Sequence, residues 1–176
     1  MNPVRKLQAI GLAIALAIFA TDQWVKKYVT QTLGIDAYGD SMELISIFNF
    51  TYTRNYGVSL GMFEANSPEM RWALVAVTAL IALVVFIWML REKLFGDILG
   101  LSLILGGALG NIVDRYTLGY VIDYADLHFG DFRPFLIFNV ADAAITIGVV
   151  IILARTLFVR DKDTNNSSET AAAAES

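Results

Sequence analysis

Hydrophobic and polar residues occur in long blocks along this chain. Four apolar blocks are each close to the ~20 residues that a helix needs to cross a bilayer. They cover about residues 7–25, 71–90, 94–113 and 135–158. Polar outer segments, at about 30–68 and 114–134, separate the first block from the second and the third from the fourth. The pattern predicts an α-helical integral membrane protein with four transmembrane helices.

The third block is rich in glycine, with Gly100, Gly106, Gly107 and Gly110 among its members. Small residues let helices approach closely in a bilayer, so we expect this helix to pack centrally. The first block follows Arg5 and Lys6 and could be a cleaved signal peptide. Its only Ala-x-Ala-like sites lie inside the apolar run, and three blocks follow it, so we interpret it as a retained helix.

The four blocks and the segments between them predict one membrane domain, residues 1–160, followed by a tail. In the first outer segment, Ile45–Thr53 is apolar, aromatic and β-branched, which favours strand pairing at the membrane surface. The second outer segment is aromatic and acidic, as is typical of an interfacial element. Residues 161–176 contain few hydrophobic residues and predict a disordered cytoplasmic tail.

Composition narrows the chemistry that is available. Hydrophobic residues make up 56% of the 176 residues and charged residues 17%, against about 25% charged in a soluble domain. The net charge of −4 argues against nucleic-acid binding. The chain has no cysteine and a single histidine, His128, which excludes disulfides, thiolate chemistry and a metal site built from several histidines. We therefore expect no metal and no cofactor.

Basic residues predict the orientation. They flank the first block, the turn between the second and third blocks, and the carboxyl end of the fourth block. Cytoplasmic loops carry an excess of lysine and arginine, so both termini are expected in the cytoplasm. The residues concerned are Arg5, Lys6, Arg91, Lys93, Arg155, Arg160 and Lys162.

Polar residues cluster at the predicted outer ends of the helices, where each ionisable group is a functional candidate. Asp22 and Lys26 are four residues apart and can pair on one helix face. They form either a helix-end ion pair, with Lys26 reaching outward, or part of a site. Asn55 and Gly57 form either a tight turn or a turn that presents polar groups to a peptide.

Two further clusters lie around the third and fourth helices. Asn111 is three and four residues from Asp114 and Arg115, so this group either anchors the helix end or positions a ligand. Asp123 lies in an apolar interfacial run, and Asp142 begins the last apolar block. Asp142 is either favoured by the helix dipole or part of an active site.

A carboxylate pair offers chemistry that this composition allows. Two carboxylates held close in a poorly solvated site share one proton, and such a pair can activate water and protonate an amide leaving group. Spacing alone does not choose between Asp123 and Asp126 as the partner of Asp142. The alternatives are Ser59 with Lys26 or with His128, a small ion- or proton-coupled carrier that titrates Asp142, and a structural scaffold.

The polar candidates lie in five short motifs: Asp22-Gln-x-x-Lys26, Asn55-x-Gly57, Gly110-Asn111-x-x-Asp114-Arg115, Val121-x-Asp123 and Phe138-Asn139-x-Ala141-Asp142. These motifs resemble, in the same order, those of the lipoprotein signal peptidases (signal peptidase II), the membrane aspartic peptidases of bacteria. Any one motif is weakly specific, whereas five in order are highly specific. One departure lies at Val58-Ser59-Leu60, where the family usually has small residues and phenylalanine; we interpret it as a changed site lining.

The resemblance implies that Asp123 and Asp142 are the catalytic pair. Asp126 is then an exposed interfacial charge, and Arg115, paired with Asp114, fixes the substrate backbone or the lipid headgroup region. The implied supporting residues are Asp22, Lys26, Asn55, Gly57, Asn111, Asp114, Arg115, Asn139 and Ala141.

The resemblance also implies a β-cradle, a short periplasmic helix and a site near the outer leaflet of the bacterial inner membrane. Its substrate would be a prolipoprotein whose lipobox cysteine carries diacylglycerol, cleaved just before that cysteine. Globomycin would inhibit the enzyme, membrane lipid would contact it, and it would act as a monomer.

Overall fold

A computed structural model describes residues 3–57 and 68–158 of the chain. Its four long helices are each long and apolar enough to cross a membrane, which confirms the predicted number of transmembrane helices. They are α1 (Pro3–Lys27), α2 (Pro68–Arg91), α3 (Phe95–Thr117) and α4 (Val140–Phe158). A π-helical turn, Tyr28–Thr32, continues α1. Residues 58–60 and the tail 161–176, on which two sequence predictions fell, lie outside the described residues.

Helix α3 is the centre of the bundle, as its glycines predict. Half of its most apolar window is buried inside the protein, against 11–17% in the other three helices. A Cβ atom added to Gly106 would lie 2.5 Å from the Ala15 carbonyl oxygen, and one added to Gly110 would lie 2.5 Å from Oδ2 of Asp22. The glycines thus let α1 approach α3 at the separation that brings Asp22 to the site.

Three antiparallel strands, in the order β1-β2-β3, cover one end of the bundle. They are β1 (Ser41–Ile45), β2 (Phe48–Asn55) and β3 (Val121–Leu127). The strand pairing predicted at Ile45–Thr53 is confirmed, since this segment contains the end of β1 and most of β2, which pair as a hairpin. Strand β3 was not predicted as a strand. Tyr52 and Tyr124 of the sheet pack with Val29 of the π-helical turn, which fastens the sheet to the end of α1.

The β2–β3 pairing contains a bulge close to the candidate site. Phe50 faces Ala125, whereas Thr53 faces Asp123, so β2 carries one more residue than β3 between these two pairs. A bulge bends a strand and redirects the side chains that follow it. Asn55, which lies beyond this bulge, consequently reaches the Asp123 carboxylate.

Two helix boundaries differ from the predicted spans. Helix α4 begins at Val140 rather than at 135, because Phe138 exchanges backbone hydrogen bonds with Ala125 of β3 and is extended. Helix α3 continues to Thr117 and therefore carries Asp114 in its last turns. The described residues contain no separate short helix between the spans, and residues 58–67 lie outside them.

Candidate active site

The candidate residues meet at one end of the bundle, where α1 and α3 end, α4 begins and the sheet covers them. Asp123 is the member supplied by the sheet. Its side chain is buried, and each of its carboxylate oxygens accepts a hydrogen bond from an amide. Asn139 Nδ2 donates to Oδ1 at 2.7 Å, and Asn55 Nδ2 donates to Oδ2 at 3.0 Å. Two neutral donors thus hold the carboxyl group in one orientation.

Asp142 is the third residue of α4 and forms a capping box with Asn139. The Asn139 side-chain oxygen accepts from the Asp142 backbone N–H at 2.9 Å, and the Asn139 backbone N–H donates to Asp142 Oδ2 at 3.3 Å. Such reciprocal bonds satisfy two N–H groups that a helix start leaves free. Asn111 Nδ2 donates to Asp142 Oδ1 at 2.8 Å, so α3 also orients this carboxylate.

The two aspartates are linked through Asn139 and through their charges. Asn139 hydrogen-bonds Asp142 while its Nδ2 donates to Asp123. Burial, followed by the negative charge of Asp142, raises the pKa of Asp123 from 3.8 to about 7. A pair that holds one proton near neutral pH has the protonation state that acid–base catalysis needs.

Behind the carboxylates lies a buried charge network centred on Lys26. Its Nζ lies 2.7 Å from Asp22 Oδ2 and 2.8 Å from Asp114 Oδ2. The Asp22–Lys26 pair is therefore confirmed, but Lys26 is buried and points into the site instead of reaching outward. The other Asp22 oxygen accepts a hydrogen bond from the Ala141 backbone N–H at 3.0 Å. This network ties the end of α1 to the first turn of α4.

Asp114 connects α3 with the sheet. Its carboxylate accepts a hydrogen bond from the Ile122 backbone N–H at 3.2 Å, one residue before Asp123. The expected Asp114–Arg115 pair is wrong, because Asp114 forms its ion pair with Lys26 instead. Adjacent residues on a helix point in different directions, about 100° apart.

Arg115 lies on the side of the site nearest Gly57. Its Nε is buried and has no hydrogen-bond partner among the described residues. Its charge interacts with those of Asp142 and Asp123. Gly57 has φ +79° and donates its N–H to Asn55 Oδ1 at 2.8 Å, and a Cβ there would lie 3.3 Å from Arg115 Nη2. The Asn55 turn thus leaves room for the guanidinium to face the carboxylates.

This arrangement can be compared with known proteins. A family model described as signal peptidase (SPase) II matches residues 14–158 of the chain. The chain belongs to the signal peptidase II family. A lipoprotein signal peptidase of Sphingopyxis alaskensis is 54% identical over 152 residues, covering 86% of this chain and 87% of that protein. The lipoprotein signal peptidase of Rhizorhabdus wittichii is 47% identical and covers 86% and 88%.

A solved structure agrees with this membership. A bacterial membrane enzyme structure obtained by the in meso method at 1.9 Å resolution superposes with a TM-score of 0.74 at 29% identity. The alignment covers 85% of this chain and 94% of that chain. The resemblance seen in the sequence is confirmed, and this member of the signal peptidase II family is a peptidase with several transmembrane helices.

Asp126 of this peptidase is not the exposed charge that the motifs implied. It is 2% exposed and forms an ion pair with Arg133, whose Nε lies 3.0 Å from Asp126 Oδ1. The prediction of an exposed Asp126 is wrong because a turn brings Arg133, seven residues later in the chain, back against its carboxylate. This turn is not apparent in the sequence. Among the alternatives, Ser59 lies outside the described residues, and His128 Nε2 is buried without a hydrogen-bond partner.

Gln23 is a member of the site that the sequence reasoning did not select. Its Nε2 donates to Asp114 Oδ1 at 2.9 Å and to Asp22 Oδ2 at 3.2 Å, so it joins the two acids that flank Lys26. Its place in the Asp22-Gln-x-x-Lys26 motif, near the end of an apolar span, was the available signal. Gln23 therefore completes the buried network of the peptidase.

Two of the grooves among the described residues are mainly apolar. One, of about 320 Å³, reaches Asp142 and is otherwise lined mainly by apolar side chains: Phe135, Leu136, Phe138, Ala143, Thr146 and Ile147. The other, of about 440 Å³, is wholly apolar and lies between α1, α2 and α3. In the described residues, no cluster of three or more His, Asp or Glu could hold a metal ion.

Proposed function

We propose that this peptidase cleaves the signal peptide from diacylglyceryl-modified prolipoproteins, immediately before the lipidated cysteine, with Asp123 and Asp142 as its catalytic pair. The observation that carries the proposal is the position of Asn139 at one end of the bundle. Its side-chain amide donates to the Asp123 carboxylate, and its backbone N–H donates to the Asp142 carboxylate. The relatives, which are lipoprotein signal peptidases, support the lipoprotein substrate. The hydrogen bonds around the two carboxyl groups support the aspartate pair.

In the proposed reaction the pair begins with one proton, carried by Asp123. The Asp142 carboxylate accepts a proton from water as the water oxygen bonds to the scissile carbonyl carbon. The tetrahedral intermediate collapses as the C–N bond breaks, and Asp123 donates its proton to the leaving nitrogen. The proton held by Asp142 then passes to Asp123, which restores the starting state without a covalent intermediate.

The neighbouring polar groups support this chemistry by position. Asn111 and Asn139 orient the two carboxyl groups, and Asn55 holds the second oxygen of Asp123. Arg115, with a free buried Nε, contributes a donor to the substrate backbone. Lys26 pairs with Asp22 and Asp114 behind the proposed pair and offsets part of their negative charge.

The groove at Asp142 suits a lipid-modified substrate. It reaches a catalytic carboxylate, while most of its lining is apolar. Burial of apolar surface favours binding by about 25 cal/mol per Å². We propose that the groove takes apolar substrate groups next to the scissile bond and that a single chain suffices, because every proposed catalytic residue comes from it.

The distribution of basic residues supports a site outside the cytoplasm. The start of α1, the end of α2 and the end of α4 carry basic residues, and the candidate site lies at the opposite end of these helices. By the positive-inside rule the basic end faces the cytoplasm. The proposal is a protein of the bacterial inner membrane with cytoplasmic termini and a site near the outer leaflet. The basic residues are Arg5, Lys6, Arg91, Lys93 and Arg155.

The test is cleavage of a diacylglyceryl-modified precursor in detergent by Asp123→Asn and Asp142→Asn. Each variant should lose at least about 100-fold in turnover, because each removes one half of the acid–base pair. Asp97→Asn is the matched control, since Asp97 pairs with Arg155 at the other end of the bundle. Near-wild-type turnover by either test variant would refute the pair. Ion flux in liposomes without cleavage would favour a carrier instead.

A further inference from the structure

A short segment beside the active site is anchored at both of its ends. We call residues 133–138 the strap. At its start, Arg133 Nε and Nη2 donate to the two Asp126 oxygens at 3.0 and 3.4 Å. At its end, Phe138 exchanges backbone hydrogen bonds with Ala125, at 2.8 and 3.1 Å. Both anchors therefore lie on β3, close to Asp123.

The middle of the strap has little support of its own. Phe135 is 62% exposed and Leu136 is 88% exposed. These two side chains and Phe138 form the wall of the 320 Å³ groove that reaches Asp142. The shape of the groove therefore depends on where the two anchors hold the strap.

The Arg133–Asp126 ion pair differs from a surface ion pair because its carboxylate is buried. The Asp126 side chain is only 2% exposed, whereas that of Arg133 is 55% exposed. The other group that hydrogen-bonds the Asp126 carboxylate among the described residues is the Thr51 hydroxyl, which donates to Oδ2 at 3.4 Å. A buried carboxylate that loses its cation is left uncompensated, so Asp126 strongly favours the docked position of Arg133.

We propose that the Asp126–Arg133 pair is a positioning element for substrate binding. It holds the strap where Phe135 and Leu136 complete the groove beside Asp142, and thereby sets the affinity for the apolar part of the substrate. Neither residue of the pair takes part in breaking the peptide bond. The kinetic consequence of this inference rests on the proposed function, whereas its structural consequence does not.

The kinetic test compares Arg133→Met and Asp126→Asn with the wild-type enzyme on a diacylglyceryl-modified precursor. We expect KM to rise about three- to tenfold, the size of effect that the loss of one ordinary hydrogen bond has, with kcat within about twofold. Arg133→Lys, which keeps the charge, should restore much of the affinity. The double variant should be no worse than the poorer single variant, because the two changes remove the same interaction.

The matched control is Arg155→Met, which removes the ion pair with Asp97 at the other end of the bundle, where Arg155 Nε lies 2.7 Å from Asp97 Oδ1. It should lower thermal stability without changing KM. A KM equal to that of wild type in Arg133→Met would overturn the inference. So would a fall in kcat at constant KM, or an equal KM change in Arg155→Met.

A second readout does not depend on activity. Because the chain has no cysteine, Leu136→Cys supplies a single site for a nitroxide label on the exposed strap. Arg133→Met should increase the mobility of the label in the electron paramagnetic resonance spectrum, and Arg155→Met should not. If the wild-type chain cleaves no precursor, the proposed function fails, and the spectrum alone decides the inference. An unchanged spectrum in Arg133→Met would refute it.

Discussion

Asn139 and Asp142 exchange two hydrogen bonds, one from each backbone N–H to the side chain of the other residue. Because Asn139 also holds Asp123, one side chain begins a helix and sets the separation of the two carboxyl groups. The start of α4 and the geometry of the proposed catalytic pair are therefore determined by the same contacts.

Asn139→Ala should lower turnover of a lipidated precursor about 100-fold, since a small misplacement of a reacting group has an effect of this size. Loss of the cap should also cost about 1 kcal/mol of stability, seen as a lower Tm. Asn49→Ala is the control, because the Oδ1 atom of Asn49 is buried in the sheet and has no hydrogen-bond partner within residues 3–57 and 68–158. Comparable turnover in the two variants would argue against the role of Asn139.

Activity should fall on the alkaline side as Asp123 loses its proton. Its pKa is raised to about 7, so the acid form decreases about tenfold per pH unit above that value. The hydrogen bond from Asn55 opposes this rise, and Asn55→Ala should therefore move the alkaline limb to higher pH. A pH–rate profile for kcat/KM measures the shift. A limb that moves to lower pH would contradict the assignment.

The raised pKa of Asp123 should also make folding stability depend on pH. The folded pKa of Asp123 lies above its ordinary value of 3.8, so the native state binds more protons than the unfolded state between about pH 4 and pH 7. The contribution of Asp123 to stability is full below about pH 4 and is lost as the pH rises through 7. Asp123→Asn should flatten the dependence of Tm on pH in this window. An unchanged slope would show that Asp123 is not the titrating group.

Lys26→Met should destabilise the protein strongly. It leaves Asp22 and Asp114 buried without their cation, and breaking a buried pair typically costs about 3–5 kcal/mol. Lys27→Met is a close control, because Lys27 is exposed and its removal should change stability by no more than about 0.5 kcal/mol. Thermal unfolding in detergent distinguishes the two variants. Equal Tm values would mean that the buried network contributes nothing to stability.

Globomycin should protect the protein thermally if it occupies the proposed site. A ligand at about 100 times its Kd stabilises the folded state by about 2.7 kcal/mol. Asp142→Asn should alter this protection, because Asp142 belongs to the proposed catalytic pair and also lines the groove. Identical Tm increases for wild type and variant would place the inhibitor elsewhere.

The sequence predicts the four spans because bilayer thickness imposes a length and a composition that can be read directly. It also predicts the central position of α3, because close helix contacts require small residues such as Gly106. It misplaces the start of α4, since residues 135–139 are mostly apolar and hydropathy does not distinguish an extended apolar strap from a helix. The same ambiguity hides β3, whose register depends on pairing with β2, far away in the chain.

The site, like the fold, was predicted only in part from the sequence. The resemblance selects the motif residues, and the structure brings their described atoms together at one end of the bundle. Partners that depend on tertiary contact could not be predicted: Arg133 for Asp126, and Lys26 rather than Arg115 for Asp114. Gln23 was missed because an amide beside a charged residue has many roles, and only the approach of α3 gives it one here.

The hydrogen bond from the Ala141 N–H to Asp22 Oδ1 joins residues that are 119 positions apart. During synthesis the ribosome completes α1 long before it reaches α4. The Asp22 carboxylate therefore has no Ala141 N–H to accept from until the last helix has been made. Until then, Asn139 and Asp142 are absent and the proposed catalytic pair cannot form. If this pair carries the activity, a nascent chain cannot cleave other proteins in the membrane before its final helix is inserted.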